Sequence, residues 1–280
     1  MRWWAWAEVA GSLAAGAAAA RGAYSLARRR PPSQLMKRNV NGKQVPVVLG
    51  VPVAMGGLAG LAVYSVIQWD AVLVGSVVSI GIMALAGRWD DMRGDERSRG
   101  FSGHLKAAGS GRLTGGLVKL LAGGVAGAIA GFALTTRGRF DVLLVLETAL
   151  LVALSANLVN LLDRAPGRAA KVAVILWLPL VAFGSVAWAH ASLGLLAGLV
   201  ALIAEDLSEE GMLGDAGANP LGAMLGFGIA ASGSAPVRWG AIGALVLLNA
   251  ASERWSFSRA IESTPWLRAI DLSGRDKRAD

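Results

Sequence analysis

The segment AVLVGSVVSIGIMALA (residues 71–86) is followed directly by GRWDDMRGD (residues 87–95), and the chain is organised around this junction. The first segment has the composition of a membrane helix. The second brings Asp90, Asp91 and Asp95 to the end of that helix. Ionisable groups near membrane depth are costly and mark functional sites by default. The junction therefore predicts a functional site rather than a solubilising surface.

The composition indicates a membrane protein. Charged residues make up 16% of the chain and hydrophobic residues 54%, whereas soluble domains carry about 25% charged residues. The mean hydropathy of +0.52 also indicates a membrane protein. The chain has no cysteine and only His104 and His190, which excludes disulfides and thiolate chemistry and argues against zinc. Any metal is then a hard, oxygen-bound ion.

The apolar runs predict an all-α, polytopic membrane helical bundle of about nine spans. We expect one integral membrane domain over 1–280, ending in an amphipathic cytoplasmic tail at 252–280. A cleaved signal peptide is the alternative for the first run, although Arg2 alone makes a weak basic start. The predicted spans are 3–26, 47–69, 71–86, 116–134, 142–162, 172–188, 193–204, 221–231 and 239–251.

The distribution of charge predicts the orientation in the membrane. Basic residues are concentrated between Arg21 and Lys43, in a segment interrupted by Pro31 and Pro32. The positive-inside rule makes this segment cytoplasmic, with the N-terminus outside and the C-terminus inside. All polar clusters then face the cytoplasm, at 88–112, 163–171, 205–215 and 253–280. The net charge of +8 suits anionic lipid headgroups, and no aromatic and basic module indicates nucleic-acid binding.

A second polar cluster ends the predicted span 142–162. Asn157, Asn160 and Asp163 are spaced by three residues, so on a helix they lie within an arc of about 120°. Interhelical hydrogen bonding would explain the two asparagines. The Asp163 carboxylate costs about 2.5 to 3.5 kcal/mol at membrane depth and needs a partner. The candidate cations are Arg164, Arg168 and Lys171.

A third cluster lies at 212–222. We expect Asn219 to cap a helix that begins at Pro220. Free amides at that helix start would bind a phosphate, and Asp215 just before it would bind the metal of that phosphate. The alternative is a capped turn with a solvated Asp215. The acidic residues between the last spans are interpreted as a solvated loop: Glu205, Asp206, Glu209 and Glu210.

Together the clusters predict one site on the cytoplasmic face. Asp90, Asp91, Asp163 and Asp215 would converge there, and adjacent carboxylates repel unless a cation lies between them. A divalent ion resolves that conflict, and nearby cations suit a polyphosphate. We therefore expect Mg²⁺ with a nucleotide diphosphate. The cations available are Arg93, Arg99, Lys106, Arg112 and Lys119.

The motifs resemble the polyprenyl-phosphate N-acetylhexosamine-1-phosphate transferases, which include the phospho-MurNAc-pentapeptide translocase. The resemblance extends from Asn39 to Arg275, and four motifs occur in the family's order. They are Asp90-Asp91 with RGFSGHL (99–105), TGGLVK (114–119), NLVNLLD (157–163) and LGDAGANPLG (213–222).

The resemblance implies that a membrane polyprenyl phosphate attacks the β-phosphorus of a UDP-sugar and releases UMP, at the plasma membrane and for cell-envelope glycan synthesis. It implies Mg²⁺, with Mn²⁺ as the alternative, and a homodimer as a candidate assembly. The implied catalytic residues are Asp90, Asp91, Asp163 and Lys119, and the implied metal ligands are Asp215 and Asp91. The implied substrate-binding residues are Asn157, Asn160, Arg99, His104, Lys106, Thr114, Arg164, Arg168, Gly217 and Asn219.

The sequence also departs from the family pattern. Pro166 stands where the family has a second Asp, and the family's His-rich sugar-recognition loop is absent. These departures leave open a catalytically silent paralogue that binds the lipid carrier or nucleotide and assists envelope assembly. Arg164 and Arg168 would instead bind a different phosphate if an altered activity is retained. A transporter is the third hypothesis, but we find no inverted repeat.

Overall fold

The computed structural model describes residues 3–93, 115–136 and 140–275. Eleven α-helices form within these residues, and they make a helical bundle. They are α1 (Trp3–Ala27), α2 (Gly50–Ile67), α3 (Ala71–Arg93), α4 (Gly115–Thr135), α5 (Val142–Leu162), α6 (Arg168–Phe183), α7 (Val186–Leu207), α8 (Asp215–Ser232), α9 (Ala235–Ser252), α10 (Phe257–Ser263) and α11 (Pro265–Leu272).

Five of these helices are long and apolar enough to cross a membrane, by length and composition: α2, α3, α4, α5 and α7. Membrane association therefore agrees with the prediction. Each of the nine predicted segments also lies mostly within a helix, and α5 has the predicted bounds. Nine crossings, and the side of the membrane that each terminus faces, stay predictions.

The predicted boundary between the sixth and seventh spans was wrong. The structure ends α6 at Phe183, and the Ser185 hydroxyl accepts a hydrogen bond from the Trp188 amide at the start of α7. Trp188 thus belongs to α7, where it is fully buried and donates from Nε1 to the Met224 carbonyl at 3.0 Å. Hydropathy runs unbroken through 172–204, so only the Gly184-Ser185 cap marks the break.

A small hairpin lies between α1 and α2 and was not predicted. A 3₁₀ turn (Ser33–Leu35) leads into β1 (Met36–Arg38), which pairs antiparallel with β2 (Gln44–Pro46). The Asn39 side chain accepts the amides of Asn41 and Lys43, which closes the turn. The Met212 amide donates to the Pro46 carbonyl at 2.9 Å. The hairpin is thereby attached to the connection before α8.

Glycines bring α1, α2 and α7 into backbone contact, as the glycine-rich sequence of α2 predicted. A Cβ on Gly16 would lie 2.7 Å from the Gly194 Cα, and one on Gly60 would lie 2.9 Å from the Gly194 amide nitrogen. A Cβ on Gly56 would lie 2.7 Å from the Gly16 carbonyl oxygen. These three helices therefore have no room for a larger side chain at their crossing.

We expect Gly16→Ala to lower the midpoint of thermal unfolding by about 5 °C, because overpacking costs about 1 to 3 kcal/mol. Gly22→Ala is the matched control in the same helix, since no described atom lies within 4 Å of its added Cβ. That control should be unchanged or slightly stabilised, because Ala favours a helix. Equal midpoints for the two variants would contradict the close α1–α7 contact.

Candidate functional site at the polar end of the bundle

Four side chains from four helices meet where α3 and α5 end and α4 and α8 begin; we call this end of the bundle the polar end. The Lys119 ammonium lies 2.9 Å from Asp90 Oδ2 and 2.5 Å from Asp215 Oδ2. The Asn160 amide donates to Asp215 Oδ1 at 2.6 Å. We call Asp90, Lys119, Asn160 and Asp215 the central cluster. Its sequence separations are large, so only the tertiary fold brings it together.

The two aspartates of α3 differ in direction and role. The helix continues to Arg93, beyond the predicted end at Ala86, so Asp90 and Asp91 lie on its last turn. Successive helical residues point about 100° apart. Asp90 therefore faces Lys119 in α4, while Asp91 is turned into the bundle and is only 2% exposed.

Asp91 caps the start of α8. Its Oδ1 accepts the Asp215 amide at 3.2 Å and its Oδ2 accepts the Ala216 amide at 3.0 Å. Lys37 from β1 lies 3.2 Å from Oδ1. The amides at the actual start of α8 are thus bound by a carboxylate from another helix, whereas the sequence predicted free amides at a helix start near Pro220. Both Asp91 oxygens are engaged, whereas the resemblance implies a metal ligand at this position.

The predicted helix start at Asn219-Pro220 was wrong. Helix α8 begins at Asp215, and Gly214 precedes it with a left-handed φ of 64°. Asp91 supplies the capping oxygens that a local side chain usually provides, so the helix starts before Asn219. Pro220 then lies inside the helix and has no amide to donate to the Ala216 carbonyl.

Asn219 is nevertheless placed near the central cluster. It follows Asp215 by four residues, so it lies one turn deeper on the same face of α8. Its side chain is 1% exposed, and its Nδ2 has no hydrogen-bond partner among the described residues. A buried amide donor without a partner is costly. This makes Asn219 a candidate for contact with a bound ligand.

The three polar residues at the end of α5 do not share one partner. Asn157 donates to the Asn249 side chain of α9 at 2.6 Å, which confirms interhelical hydrogen bonding for that residue. Asn160 faces Asp215, and Asp163 ends the helix. Burial, reinforced by the carboxylates of Asp206 and Asp215, raises the pKa of Asp163 well above its ordinary value. A cation near Asp163 would lower that pKa again.

The interpretation of four acidic residues as a solvated loop was wrong except for Glu210, which is exposed; Glu205 and Asp206 lie in the last turn of α7. Asp206 is buried on the last turn of α7 and accepts the Gly167 amide at 3.0 Å. Glu209 is also buried and accepts the Asn41 side-chain amide, and Glu205 pairs with Arg21. A cleft beside the central cluster is lined by Asn39, Val40, Asp163, Arg164, Ala165, Pro166, Asp206, Glu209, Gly211 and Met212.

Two predicted substrate-binding residues have structural partners. The Arg168 guanidinium binds Asp271 of α11 through two hydrogen bonds of 2.7 and 2.9 Å. Lys171 donates to the Asp271 carbonyl at 2.6 Å, so neither cation pairs with Asp163. Gly217 packs against the α2 backbone, where its added Cβ would lie 2.8 Å from the Gly50 Cα. Arg164 is exposed and lines the cleft.

Several predicted site residues lie outside the described residues. They are Asp95, Arg99, His104, Lys106, Arg112 and Thr114. Their predicted roles stay predictions.

Two contributions to the site were missed by sequence reasoning. Lys37 was assigned only to the positive-inside signal, and nothing local marks it as the partner of Asp91. Two glycines also make room for the site, since a Cβ on Gly115 would lie 2.7 Å from the Asp90 carboxyl carbon and one on Gly87 would lie 2.6 Å from the Ala216 amide nitrogen. The TGG motif before Lys119 is the signal that pointed toward Gly115.

Within the described ranges, no three His, Cys, Asp or Glu side chains form a group that could hold a metal ion. No protein-family model matches the sequence, and no curated protein matches it. The resemblance to the transferase family therefore rests on the four sequence motifs.

Proposed function

We propose that the protein transfers a sugar-1-phosphate from a UDP-sugar to a membrane polyprenyl phosphate and releases UMP, with Mg²⁺ as cofactor. The observation that carries the proposal is the central cluster. The four residues come from four separate family-like motifs, yet Lys119 contacts both Asp90 and Asp215, and Asn160 contacts Asp215. A bundle held together only by apolar packing has no need of such a cluster.

Lys119 is the phosphate-binding group in this proposal. Its ammonium is held between Asp90 and Asp215, so its position is set before a substrate arrives. A lysine in a polar, partly enclosed site is well suited to a developing phosphate charge. Asp90 would contact the attacking lipid phosphate or accept its proton.

The donor atoms of the central cluster suit Mg²⁺. This ion prefers oxygen ligands, and in phosphate sites it is bound by one or two carboxylates together with substrate oxygens. Asp90 and Asp215 provide two carboxylates that are partly accessible, at 21% and 20% side-chain exposure. They would hold the ion, which when bound would supply Lewis-acid polarisation of the pyrophosphate. Asp91 is the less suitable ligand because it is only 2% exposed and is fixed by two backbone amides.

The remaining polar groups suit the nucleotide half of the donor. The cleft beside the central cluster combines the Asp163 and Asp206 carboxylates with the exposed Arg164. Asn39 Nδ2 is buried there without a hydrogen-bond partner among the described residues. Ribose hydroxyls and a base would satisfy such groups, whereas apolar ligands would leave them unpaired.

A catalytically silent binding protein is the second candidate, and Pro166 is the observation that favours it. Pro166 is buried and lines the cleft where the family has a carboxylate. Proline offers neither charge nor an amide hydrogen. A protein that binds the lipid carrier or nucleotide without turnover would tolerate this change.

The test is UMP release by purified, lipid-reconstituted protein with polyprenyl phosphate and a panel of UDP-sugars. The proposal expects release with at least one sugar, and loss of that release when EDTA replaces Mg²⁺. Thermal unfolding of the same samples, with and without UDP, reports whether the protein is folded and binds nucleotide. Folded protein that binds UDP or polyprenyl phosphate but releases no UMP would favour the silent binding protein.

A further inference from the structure

The C-terminal segment is fixed to the polar end by a buried ion pair. Asp271 in α11 is 7% exposed and binds Arg168, the first residue of α6. Arg275 adds a hydrogen bond of 2.6 Å to the same carboxylate, and Ser258 of α10 accepts from Arg168 at 2.8 Å. Burial alone would raise the pKa of Asp271, but Arg168 and Arg275 hold it below its ordinary value. The pair is therefore charged at neutral pH.

This attachment sets which face of α11 is directed outward. Asp271 and Leu267 are four residues apart and share the face that is turned to the protein. Trp266 and Ile270 form the neighbouring four-residue pair, and they are 65% and 43% exposed. The helix thus buries its acid and presents an aromatic and an aliphatic side chain to the surroundings. We call Trp266 and Ile270 the outer pair.

The segments that precede α11 also expose apolar side chains. Helix α9 leads directly into the C-terminal segment and exposes Leu247 at 72%. Trp255, at the turn between α9 and α10, is 70% exposed. Tryptophan is enriched where membrane meets water. Exposed arginines accompany these side chains, namely Arg254, Arg259 and Arg268.

We propose that the outer pair of α11 binds the surface of a bilayer that contains anionic phospholipid. The apolar side chains enter the headgroup boundary, and the exposed arginines bind phosphate groups beside them. The Arg168–Asp271 pair acts as a positioning contact, because it prevents α11 from turning its acid toward the lipid. This inference does not depend on the proposed transferase activity.

A second copy of the chain is the less suitable occupant. Stable protein interfaces bury about 800 Å² on each partner. Helix α11 has eight residues and exposes only three large apolar side chains, Trp266, Ile270 and Leu272. A membrane surface needs no matching partner surface.

The absence of native cysteine permits a direct test with single-cysteine variants of the full chain. Ile270→Cys is reconstituted at one copy per nanodisc in phosphatidylcholine, with or without phosphatidylglycerol, and labelled with an uncharged polyethylene-glycol maleimide. We expect labelling to be about tenfold slower with phosphatidylglycerol, because the thiol then lies in the headgroup boundary, away from the aqueous reagent. Glu262→Cys, in exposed α10, is the matched control and should label equally in both lipids.

A second variant tests the positioning contact. Adding Asp271→Asn to Ile270→Cys should restore fast labelling, because α11 then loses its fixed orientation. Equal labelling of Ile270→Cys and Glu262→Cys in anionic discs would overturn the proposal. Protection that occurs only in discs with two copies would also overturn it, since a second copy would then be the occupant.

Discussion

Asp215→Asn is expected to lower UMP release by about 10³-fold, the cost of removing one well-placed electrostatic group from an active site. Asp215 accepts from Lys119 and Asn160 at once, and the neutral amide has one acceptor oxygen in place of two. Lys119 and the Asn160 amide would then compete for that one neutral oxygen. The measurement is the initial rate of UMP release at saturating Mg²⁺ with the sugar found in the panel.

Asp141→Asn is the control for the loss of one aspartate charge. Asp141 caps α5 at the opposite end of the bundle and accepts the amides of Leu143 and Leu144. Asparagine is an equally good cap, so stability and UMP release should both be unchanged. If folded Asp215→Asn protein retains more than about a tenth of the original rate, Asp215 has no catalytic role.

Gly87→Ala is expected to lower UMP release by about 100-fold without changing any charged group, since small displacements in an active site cost that much. Its added Cβ would clash with the Asp215 carbonyl and lie 2.6 Å from the Ala216 amide nitrogen. Helices α3 and α8 must then separate, which moves Asp90 away from Asp215. The same variant should unfold at a lower temperature, because overpacking is destabilising.

Gly81→Ala, also in α3, is the matched control. No described atom lies within 4 Å of its added Cβ, so its rate and unfolding temperature should remain those of the original protein. If Gly87→Ala and Gly81→Ala behave alike, the close approach of α3 to α8 does not position the central cluster. If Gly87→Ala is less stable but fully active, the close packing of α3 on α8 stabilises the fold but does not position the catalytic residues.

The helices were largely predictable because apolar runs are a property of the local sequence. The run 142–162 was identified to the residue, since Asp141 caps its start and Asp163 ends it. The division between α6 and α7 was placed several residues too late, because an apolar segment continues across Gly184. The hairpin before α2 was missed as well, since its strands are only three residues long and Pro46 weakens the strand pattern.

The site was predictable as a set of residue types but not as a set of partners. Asp90, Lys119, Asn160 and Asp215 were all identified from their motifs, and they lie together. Asp91 has the same side chain as its neighbour but caps α8, because one helical step turns it into the bundle. Asp206 and Glu209 were assigned to solvent because local polarity does not reveal which loop will cover them.

The sequence by itself determined the all-helical architecture, the apolar surface and the collection of carboxylates and cations near helix ends. These follow from hydropathy and from short-range capping, which depend on neighbouring residues. The tertiary structure alone decided where α8 begins, because its cap comes from Asp91 at a distance of 124 positions along the chain. It also decided that Arg168 binds Asp271 across 103 positions. Long-range pairing depends on how helices pack, and packing is specified by the whole chain at once.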